Sequence, residues 1–331
     1  MILVTGMAGF IGHAVAAALA ARGERVIGID NLNDYYDPAL KRARLADLSA
    51  RFGDAIAFVE ADIADEAALD AVVAGRGVDR IVHLAAQAGV RYSLENPRAY
   101  VRANLAGHVN ILELARGLGV RHLVYASSSS VYGGNDKMPF SVEDRVDRPV
   151  SLYAATKRAD ELLSESYAHL FRIPQTGLRF FTVYGPWGRP DMAPWLFTAA
   201  ILEGRPIKLF NNGVMRRDFT YIDDIVAGVL AALDRPPADD RAEKPGGSVT
   251  PHARYNLGNN QAEELVRLID AIEAACGRGA VREMHPMQPG DVCATYADIG
   301  ETTRDLGFVP VTPIAHGIAR FVDWYRGYYR I

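Results

Sequence analysis

The chain has 331 residues, of which 49% are hydrophobic and 23% charged, the balance of an ordinary globular protein with one large or two smaller domains. A net charge of −4 argues against nucleic acid or an anionic membrane as a partner. Cys276 and Cys293 form no CxxC pair, which argues against a disulfide framework or a metal site and favours a reducing, cytoplasmic location. No apolar run approaches the ~20 residues that span a bilayer, and no basic segment precedes the first apolar run, so we expect neither a membrane span nor a secretory signal.

The first 22 residues carry a nucleotide-binding signal. Residues 2–5 predict a short buried strand, an Ala-rich helix ends near Arg22, and Gly6, Gly9 and Gly12 lie between them in a GxxGxxG pattern. Glycines at these positions permit a tight turn and let the backbone approach a pyrophosphate at the helix N-terminus. We therefore predict a dinucleotide site; the alternative is a glycine turn with only a structural role.

The next predicted strand, residues 25–30, ends in Asp30, about 20 residues beyond the glycine loop. An acidic side chain in this place binds ribose hydroxyls and repels a 2′-phosphate, so NAD is favoured over NADP. The observation that favours NADP is a group of basic residues further downstream, Lys41, Arg42 and Arg44.

Two further predicted strands end in residues suited to a cofactor. Residues 56–60 are followed by Asp62 and Ile63, which we expect to contact adenine, unless Asp62 is instead a helix N-cap. Residues 80–84 lead into residues 85–89, which are mostly small and leave room for a cofactor at the carboxyl end of the strand. Strands that alternate with helices in this way predict a doubly wound parallel α/β sheet.

A serine run and a Tyr–Lys pair carry the chemical signal. Ser127–Ser130 follow an apolar strand that begins at His122, while Tyr153 and Lys157 lie four apart in a predicted helix over residues 152–171. A fixed positive charge favours the ionised form of a nearby phenol, which can then take a proton from a sugar hydroxyl. The alternatives are a solvated helix face and an ordinary polar loop.

Asn104 lies inside a predicted helix over residues 98–118, where helix propensity disfavours asparagine. We expect its side chain either to bond to backbone near the serine run or to be exposed.

The second half of the chain differs in character. A rigid Pro- and Gly-rich segment, residues 186–191, precedes a predicted helix over 194–203, a short strand over 207–210 and an exposed loop over 235–254. The predicted C-terminal helix ends near Tyr325. We expect an NAD-binding domain over residues 1–180 and a region over 181–331 that mainly binds substrate and is interleaved with the end of the sheet.

Several strings together resemble the extended short-chain dehydrogenase/reductase family, whose fold is a Rossmann-type doubly wound parallel sheet with a smaller α/β C-terminal cap. They are TGMAGFIG, HLAAQAGVRYS, YASSSSVYG, the YxxxK motif at Tyr153 and Lys157, and RFFTVYGPWGRPD. Within the family, DNLNDYYDPALKRARL, FTVYGPWGRPDM, MRRDFTYIDDI and MQPGDV resemble UDP-glucuronate 4-epimerases. The resemblance covers nearly the whole chain.

The resemblance implies roles for individual residues. Tyr153 is the expected catalytic acid and base, Lys157 the holder of the nicotinamide ribose, and Ser128 the catalytic hydroxyl, with Ser129 and Ser130 as alternatives. The expected NAD contacts are Gly6, Gly9, Phe10, Ile11, Gly12, Asp30, Asn31, Asp62, Ile63, Leu84, Ala85, Ala86, Gln87, Tyr153 and Lys157. The expected contacts to a UDP-sugar are Ser128, Ser129, Ser130, Thr182, Arg189, Phe210 and Arg217.

The implied reaction inverts C4 of UDP-glucuronate to give UDP-galacturonate. Tyr153 removes the C4 hydroxyl proton while hydride passes to tightly held NAD, the 4-keto sugar rotates, and hydride returns to the opposite face. The keto sugar is a β-keto acid that can lose CO₂, so the enzyme must bind its carboxylate in a position that disfavours breaking the C–C bond. Arg189 and Thr182, assisted by the serine run, are the candidates, since an arginine fork suits a carboxylate. The alternative for Arg189 is a surface ion pair with Asp191.

Two further substrate contacts follow from the resemblance. Arg217 is expected to bind the diphosphate, with an ion pair to Asp218 or Asp223 as its alternative. Phe210 is expected to stack on uracil, with a core position as its alternative. Gln288 stands where many relatives that act on UDP-glucose or dTDP-glucose carry Arg.

The resemblance also limits the alternative functions of the chain. The all-serine run stands where 4,6-dehydratases carry an acidic pair, so the acid and base for water loss are missing. The remaining enzyme alternatives are UDP-glucose 4-epimerase and UDP-glucuronate decarboxylase. The non-enzyme alternative is an NAD-sensing regulatory protein, which has no need of Tyr153 and Lys157. A homodimer formed by the helices over 98–118 and 152–171 is implied.

Overall fold

The computed structural model describes residues 1–287 and 294–331 of the chain. Its strands are β1 (Ile2–Thr5), β2 (Val26–Asp30), β3 (Ile56–Glu60), β4 (Arg80–His83), β5 (His122–Ser128), β6 (Gln175–Phe180), β7 (Thr182–Tyr184), β8 (Ile207–Leu209), β9 (Arg216–Tyr221), β10 (His252–Leu257), β11 (Ala262–Glu264) and β12 (Arg282–Met284). Its helices are α1 (Phe10–Ala21), α2 (Pro38–Phe52), α3 (Glu66–Val73), α4 (Tyr92–Glu95), α5 (Pro97–Tyr100), α6 (Gly107–Leu118), α7 (Leu152–Phe171), α8 (Ala193–Glu203), α9 (Ile222–Leu233), α10 (Leu265–Cys276), α11 (Gly300–Leu306) and α12 (Ile314–Tyr329).

A seven-stranded parallel sheet forms the centre, in the order β3-β2-β1-β4-β5-β6-β10. The four residues of β1 are completely buried, because helices cover both faces of a doubly wound sheet. The chain order reverses beside β1, where β2 lies on one side and β4 on the other. A crevice opens at such a point outside the carboxyl ends of the strands, which is where ligands bind. The predicted fold class is therefore confirmed.

Two small sheets lie apart from the central one. In the first, β9 pairs with β7 in parallel and with β11 in antiparallel orientation. In the second, β12 pairs with β8. Strands β7 and β9 bring Thr182 and Arg217 towards the carboxyl end of the central sheet. No helix in the described part of the chain is long and apolar enough to cross a bilayer.

Several boundaries differ from the sequence-based expectations. Strand β5 runs to Ser128 rather than ending at Ala126, so the serine run begins inside the sheet. The predicted exposed loop over 235–254 was wrong at its end, because β10 starts at His252 and pairs with β6. The predicted strand over 207–210 ends at Leu209, and the C-terminal helix continues past Tyr325 to Tyr329.

The predicted helix over 98–118 is interrupted by a π-helical turn over residues 101–106. Asn104 lies in this turn with 1% of its surface exposed. Its Oδ1 accepts from the Gln87 amide at 2.8 Å, and its Nδ2 donates to the Gln87 carbonyl at 3.1 Å and to the Thr156 hydroxyl at 2.9 Å. The expectation of an exposed side chain was wrong. The backbone that Asn104 binds belongs to the segment after β4, and the Thr156 contact joins that segment to α7.

Candidate active site

A cleft of about 530 Å³ lies at the carboxyl ends of β1, β2, β4 and β5. The residues predicted to bind a cofactor or a substrate all line it, with the exception of Phe210. The topology brings them together because parallel strands present their carboxyl ends at the same edge of a sheet. The cleft is therefore one site with a dinucleotide side and a second side formed by residues after β5.

Two glycines of the loop, Gly6 and Gly12, have no room for a side chain. Gly6 has φ of +70°, and a Cβ on it would lie 2.8 Å from the Ala85 amide nitrogen. A Cβ on Gly12 would lie 2.0 Å from the Gly6 carbonyl oxygen, so the first turn of α1 packs directly on the loop. Gly9 is the N-cap of α1, which leaves backbone N–H groups of the first helical turn facing the cleft. This cradle fits a pyrophosphate.

Asp30 ends β2 and lines the cleft, where its Oδ1 accepts from the Leu32 amide at 2.9 Å. Burial raises the pKa of this carboxyl above its ordinary value, although the Lys41 charge opposes that shift. Lys41 lines the cleft too, but its Nζ donates to the Asn33 carbonyl at 2.8 Å and to the Asn33 side chain at 2.9 Å. Arg42 is exposed, and the fully buried Arg44 donates to backbone carbonyls. The acid that ends β2 thus fits an unphosphorylated ribose.

Asp62 is not a helix N-cap, because α3 is capped by Asp65, whose side chain accepts from the Ala68 amide at 3.0 Å. Asp62 instead accepts from the Ala64 amide at 2.9 Å and from Arg102 Nη2 at 3.1 Å. It lines the cleft, and its contact to adenine stays a prediction.

Tyr153 and Lys157 lie in the first two turns of α7, which begins with a Ser151 cap that accepts from the Ala154 amide at 3.1 Å. Lys157 is buried, and its Nζ donates to the Ala126 carbonyl and to Asp160 Oδ2, both at 3.0 Å. The ring of Tyr153 meets Tyr100 edge-on at 6.0 Å between centroids. Both Tyr153 and Lys157 line the cleft, as predicted, so the alternative of a solvated helix face is excluded.

The serines of the run differ in their surroundings. Ser127 Oγ donates to the buried Glu161 at 2.7 Å, so this hydroxyl is bonded within the protein interior. Ser128 Oγ accepts from the Ser130 amide at 3.1 Å and caps a 3₁₀ turn over residues 129–132. Ser128, Ser129 and Ser130 all line the cleft, and the choice of Ser128 as the catalytic hydroxyl stays a prediction.

A buried ion pair between Glu161 and Arg179 contacts the end of β5 through Ser127. Glu161 accepts from Arg179 Nε at 2.8 Å and from Arg179 Nη2 at 2.9 Å, and both side chains are at most 1% exposed. Burial alone would raise the pKa of Glu161, but the Arg179 charge and hydrogen bonds and the Ser127 hydroxyl lower it to about 2. Since Ser127 is adjacent to Ser128, this network fixes the end of β5.

Arg189 both lines the cleft and pairs with Asp191, with Nε 3.0 Å from Oδ1. The two alternatives for Arg189 are therefore compatible. Tyr35, from the loop between β2 and α2, donates to Asp191 Oδ2 at 3.0 Å. Burial and the nearby Asp191 charge raise the pKa of Tyr35 to about 12, so the phenol keeps its proton at neutral pH. Thr182 also lines the cleft.

Arg217 lines the cleft, while the two acids considered as its partners have other contacts. Asp218 is completely buried and accepts from the Asn259 amide at 2.5 Å and the Ala297 amide at 3.1 Å. Burial raises the pKa of Asp218 to about 6. Asp223 pairs with Arg320 at 3.4 Å.

Phe210 lies outside the lining of the cleft, in a single turn after β8, with the Arg91 guanidinium 4.9 Å from its ring centroid. Its stacking on uracil stays a prediction. The prediction for Gln288 and the end of the MQPGDV string fall outside the described residues.

Residues that the sequence analysis did not single out complete the cleft. Side chains from the loop after β2 line the dinucleotide side, and aromatic side chains after β5 line the other. The first group includes Asn33, Tyr35 and Tyr36, the second includes Tyr132 and Phe140, and Thr295 also lines the cleft. The polar, Tyr-bearing composition of residues 31–38 was the available signal for the first group, but composition alone assigns no orientation.

The glycine cradle, the acid at the end of β2 and the Tyr–Lys pair beside a serine define a dinucleotide-dependent α/β enzyme. A family model described as the NAD dependent epimerase/dehydratase family matches residues 2–258, and the chain belongs to this family. The cradle and Asp30 are where NAD fits.

Relatives of the chain are similar over its whole length. "Probable UDP-glucuronate 4-epimerase" of Rhizobium meliloti is 48% identical, with 99% of this chain and 97% of the relative covered. "UDP-glucuronate 4-epimerase 3" of Arabidopsis thaliana is 48% identical, with 99% and 77% covered. The crystal structure of UDP-glucuronic acid 4-epimerase from Bacillus cereus, in complex with UDP-glucuronic acid and NAD, has a TM-score of 0.88 at 31% identity, with 99% of each chain covered.

Proposed function

We propose that this chain is a UDP-glucuronate 4-epimerase, which interconverts UDP-glucuronate and UDP-galacturonate. The observation that carries the proposal is the convergence of Tyr153, Ser128 and Arg189 on one cleft beside the glycine cradle. Proton-transfer groups and a carboxylate-binding cation are what inversion at C4 of a uronic acid requires. Full-length relatives that bear this name support the substrate.

In the proposed mechanism, bound NAD supplies a reversible acceptor for the C4 hydride. Tyr153 takes the proton of the C4 hydroxyl and later returns it, with the Ser128 hydroxyl beside it as a hydrogen-bonding partner. The Lys157 ammonium, buried next to Ala126 and Asp160, places a fixed positive charge on the same helix face as Tyr153. No net oxidation of the sugar results.

The uronic acid carboxylate sets the second requirement, because a 4-keto sugar with this group can lose CO₂. We propose that Arg189 and Thr182, with Ser129 and Ser130, hold the carboxylate in an orientation that disfavours breaking the C–C bond. The guanidinium is planar and suits a bidentate contact. Arg217 is assigned to the diphosphate and Phe210 to uracil.

The division of the chain follows from these assignments. We propose that residues 1–180 bind NAD and that residues 181–331 mainly bind the UDP-sugar. The exception to a clean division is β10, which comes from the second region and completes the central sheet.

We propose a homodimer formed by α6 and α7. Large apolar side chains on these helices are exposed, and apolar surface of this kind marks protein contacts. They are Leu118, Leu162, Leu170 and Phe171. Light scattering of the purified protein tests the assembly; a mass of one chain at micromolar concentration would reject it.

The first experiment is to incubate the purified protein with UDP-glucuronate, without added NAD, and to follow the sugar by NMR. Appearance of UDP-galacturonate is expected and also means that NAD is retained through purification. A pentose product with CO₂ would assign the protein as a decarboxylase. Turnover of UDP-glucose alone would assign it as a neutral-sugar epimerase, and no turnover of either, even with NAD added, would favour the regulatory alternative.

A further inference from the structure

Arg44 is a completely buried cation that binds backbone carbonyls from two different loops. It lies on α2, and its Nη1 donates to the Ala8 carbonyl in the glycine loop at 2.9 Å and to the Tyr36 hydroxyl at 2.7 Å. Its Nη2 donates to the carbonyls of Trp187 at 2.6 Å and Gly188 at 3.1 Å. One planar guanidinium thus joins the dinucleotide loop to the segment that precedes Arg189.

That segment, residues 185–191, is here called the Arg189 turn. Trp187 within it has φ of +64°, a left-handed conformation that a bulky side chain adopts only when its surroundings hold it there. The Gly188 amide closes the turn on the Gly185 carbonyl at 3.0 Å, and the Trp187 indole packs against Trp324 at 5.1 Å between centroids. Arg44 binds the carbonyl of the strained residue itself.

The Arg189 turn has a second contact with the dinucleotide side of the cleft. Tyr35 donates to Asp191, and Asp191 pairs with Arg189. Tyr35 lies in the loop that follows Asp30 and Arg44 in the helix that follows that loop, so both contacts start from the region assigned to the ribose. Arg189 is therefore oriented by residues on the NAD side of the cleft.

We propose that Arg44 is a positioning residue for Arg189, and that it couples the glycine loop to selection of the sugar carboxylate. The inference rests on the proposed function, because it takes the group that Arg189 meets to be the uronic acid carboxylate. Arg44 touches neither cofactor nor sugar in this assignment. It acts by fixing the carbonyls of Trp187 and Gly188, and with them the direction in which the Arg189 side chain leaves the turn.

Arg44→Lys tests this role, because lysine keeps the charge but lacks the fork that reaches both loops. A displacement of about 1 Å at a binding group can cost as much as ~10²-fold, so we expect KM for UDP-glucuronate to rise roughly tenfold. UDP-glucose lacks the carboxylate that Arg189 is proposed to bind, so displacement of Arg189 is expected to change its inhibition constant by less than about threefold. A merely structural loss would weaken both ligands alike.

Arg326→Lys is the matched control. Arg326 donates to the Cys276 carbonyl at 2.8 Å, on the contact between α10 and α12 and outside the cleft lining. It is expected to leave both constants unchanged. If wild-type protein does not act on UDP-glucuronate, the proposed function fails; if wild-type protein does and Arg44→Lys raises both constants equally or neither, the positioning role fails.

Tyr36→Phe keeps the test decisive if Arg44→Lys does not fold, because it removes only one acceptor of Arg44. Amide hydrogen exchange of the NAD-loaded proteins is then compared over residues 185–191, with the exposed loop over 236–243 as internal reference. Faster exchange in the Arg189 turn alone is expected. Equal exchange in the variant and the wild type would overturn the proposal.

Discussion

Lys157 and Asp160 form an ion pair that is almost completely removed from solvent, with Nζ 3.0 Å from Oδ2 and side-chain exposures of 3% and 1%. The imidazole of His108 interacts electrostatically with both members of the pair, and that of His83 interacts with Lys157. Burial lowers the pKa of His108 to about 4 and that of His83 well below its ordinary value, so neither ring is charged at neutral pH. The two rings therefore add no positive charge beside the lysine of the catalytic pair, and the carboxylate of Asp160 compensates that lysine.

Asp160→Asn is expected to destabilise the protein strongly, because removal of one member of a buried pair costs about 3–5 kcal/mol. The measurement is the thermal unfolding midpoint of nucleotide-free protein. Lys157→Met with Asp160→Asn is expected to recover part of the loss, since no unpaired charge remains. Strict additivity of the two single losses would contradict this account of the pair.

Tyr153→Phe is expected to lower kcat for UDP-glucuronate by roughly 10²–10⁴-fold, because the ring stays and only the proton-transfer group is lost. NAD retention, read from the absorbance of nucleotide released on denaturation, is expected to match the wild type. Tyr167→Phe is the control on the same helix, where the phenol binds Glu113 at 2.6 Å away from the cleft. Undiminished turnover of Tyr153→Phe would overturn the mechanism.

The sequence was sufficient for most of the central sheet and, apart from Phe210, for residues that line the cleft. Strand periodicity fixed β1, β2 and β4, and the glycine spacing identified the cradle, because both signals are local. The end of β5 was missed, since serines have little strand preference and Ser127 is held in the sheet by Glu161, 34 residues away.

Long-range contacts account for the other differences. Asn104 is explained only by Gln87 and Thr156, and neither lies on its own helix. From the sequence alone, Arg44 counted as an observation in favour of NADP. Its true partners could not be foreseen, because they are carbonyls more than 140 residues further along the chain. β10 was hidden in a Pro- and charge-rich stretch, where pairing with β6 outweighs the local composition.

Glu161 makes acid stability a further measurable property. Its pKa is about 2 in the folded chain against an ordinary value of 4.5, so the ionised carboxylate stabilises the fold above pH 4.5 and loses that contribution as the pH falls towards 2. A shift of this size corresponds to roughly 3 kcal/mol. We expect Glu161→Gln to be less stable at neutral pH and to lose less of its remaining stability between pH 5 and 3.

The measurement for Glu161 is the thermal midpoint as a function of pH in wild-type, Glu161→Gln and Glu243→Gln proteins. Glu243 is exposed in the loop before β10, and its variant is expected to follow the wild-type curve. If Glu161→Gln also follows that curve, other carboxylates govern the acid dependence.

Arg189→Ala separates the uronic acid from the neutral sugar. Truncation of one partner of a buried, hydrogen-bonded charge pair costs about 2–5 kcal/mol, so kcat/KM for UDP-glucuronate is expected to fall by roughly 10²-fold, while the inhibition constant of UDP-glucose changes little. Loss of the contact between Arg189 and the substrate carboxylate is also expected to raise the fraction of pentose product seen by NMR.

Asp191→Asn is the companion variant, because Asp191 pairs with the guanidinium that we assign to the substrate carboxylate. We expect it to tighten the binding of UDP-glucuronate, or at least not to weaken it, and to leave UDP-glucose unaffected. Arg189→Lys keeps the charge without the fork, and a result between wild type and Arg189→Ala would attribute part of the selectivity to bidentate geometry. Equal loss on both ligands in Arg189→Ala would mean that Arg189 serves the fold, and the carboxylate would then have to be held by Thr182 and the serine run.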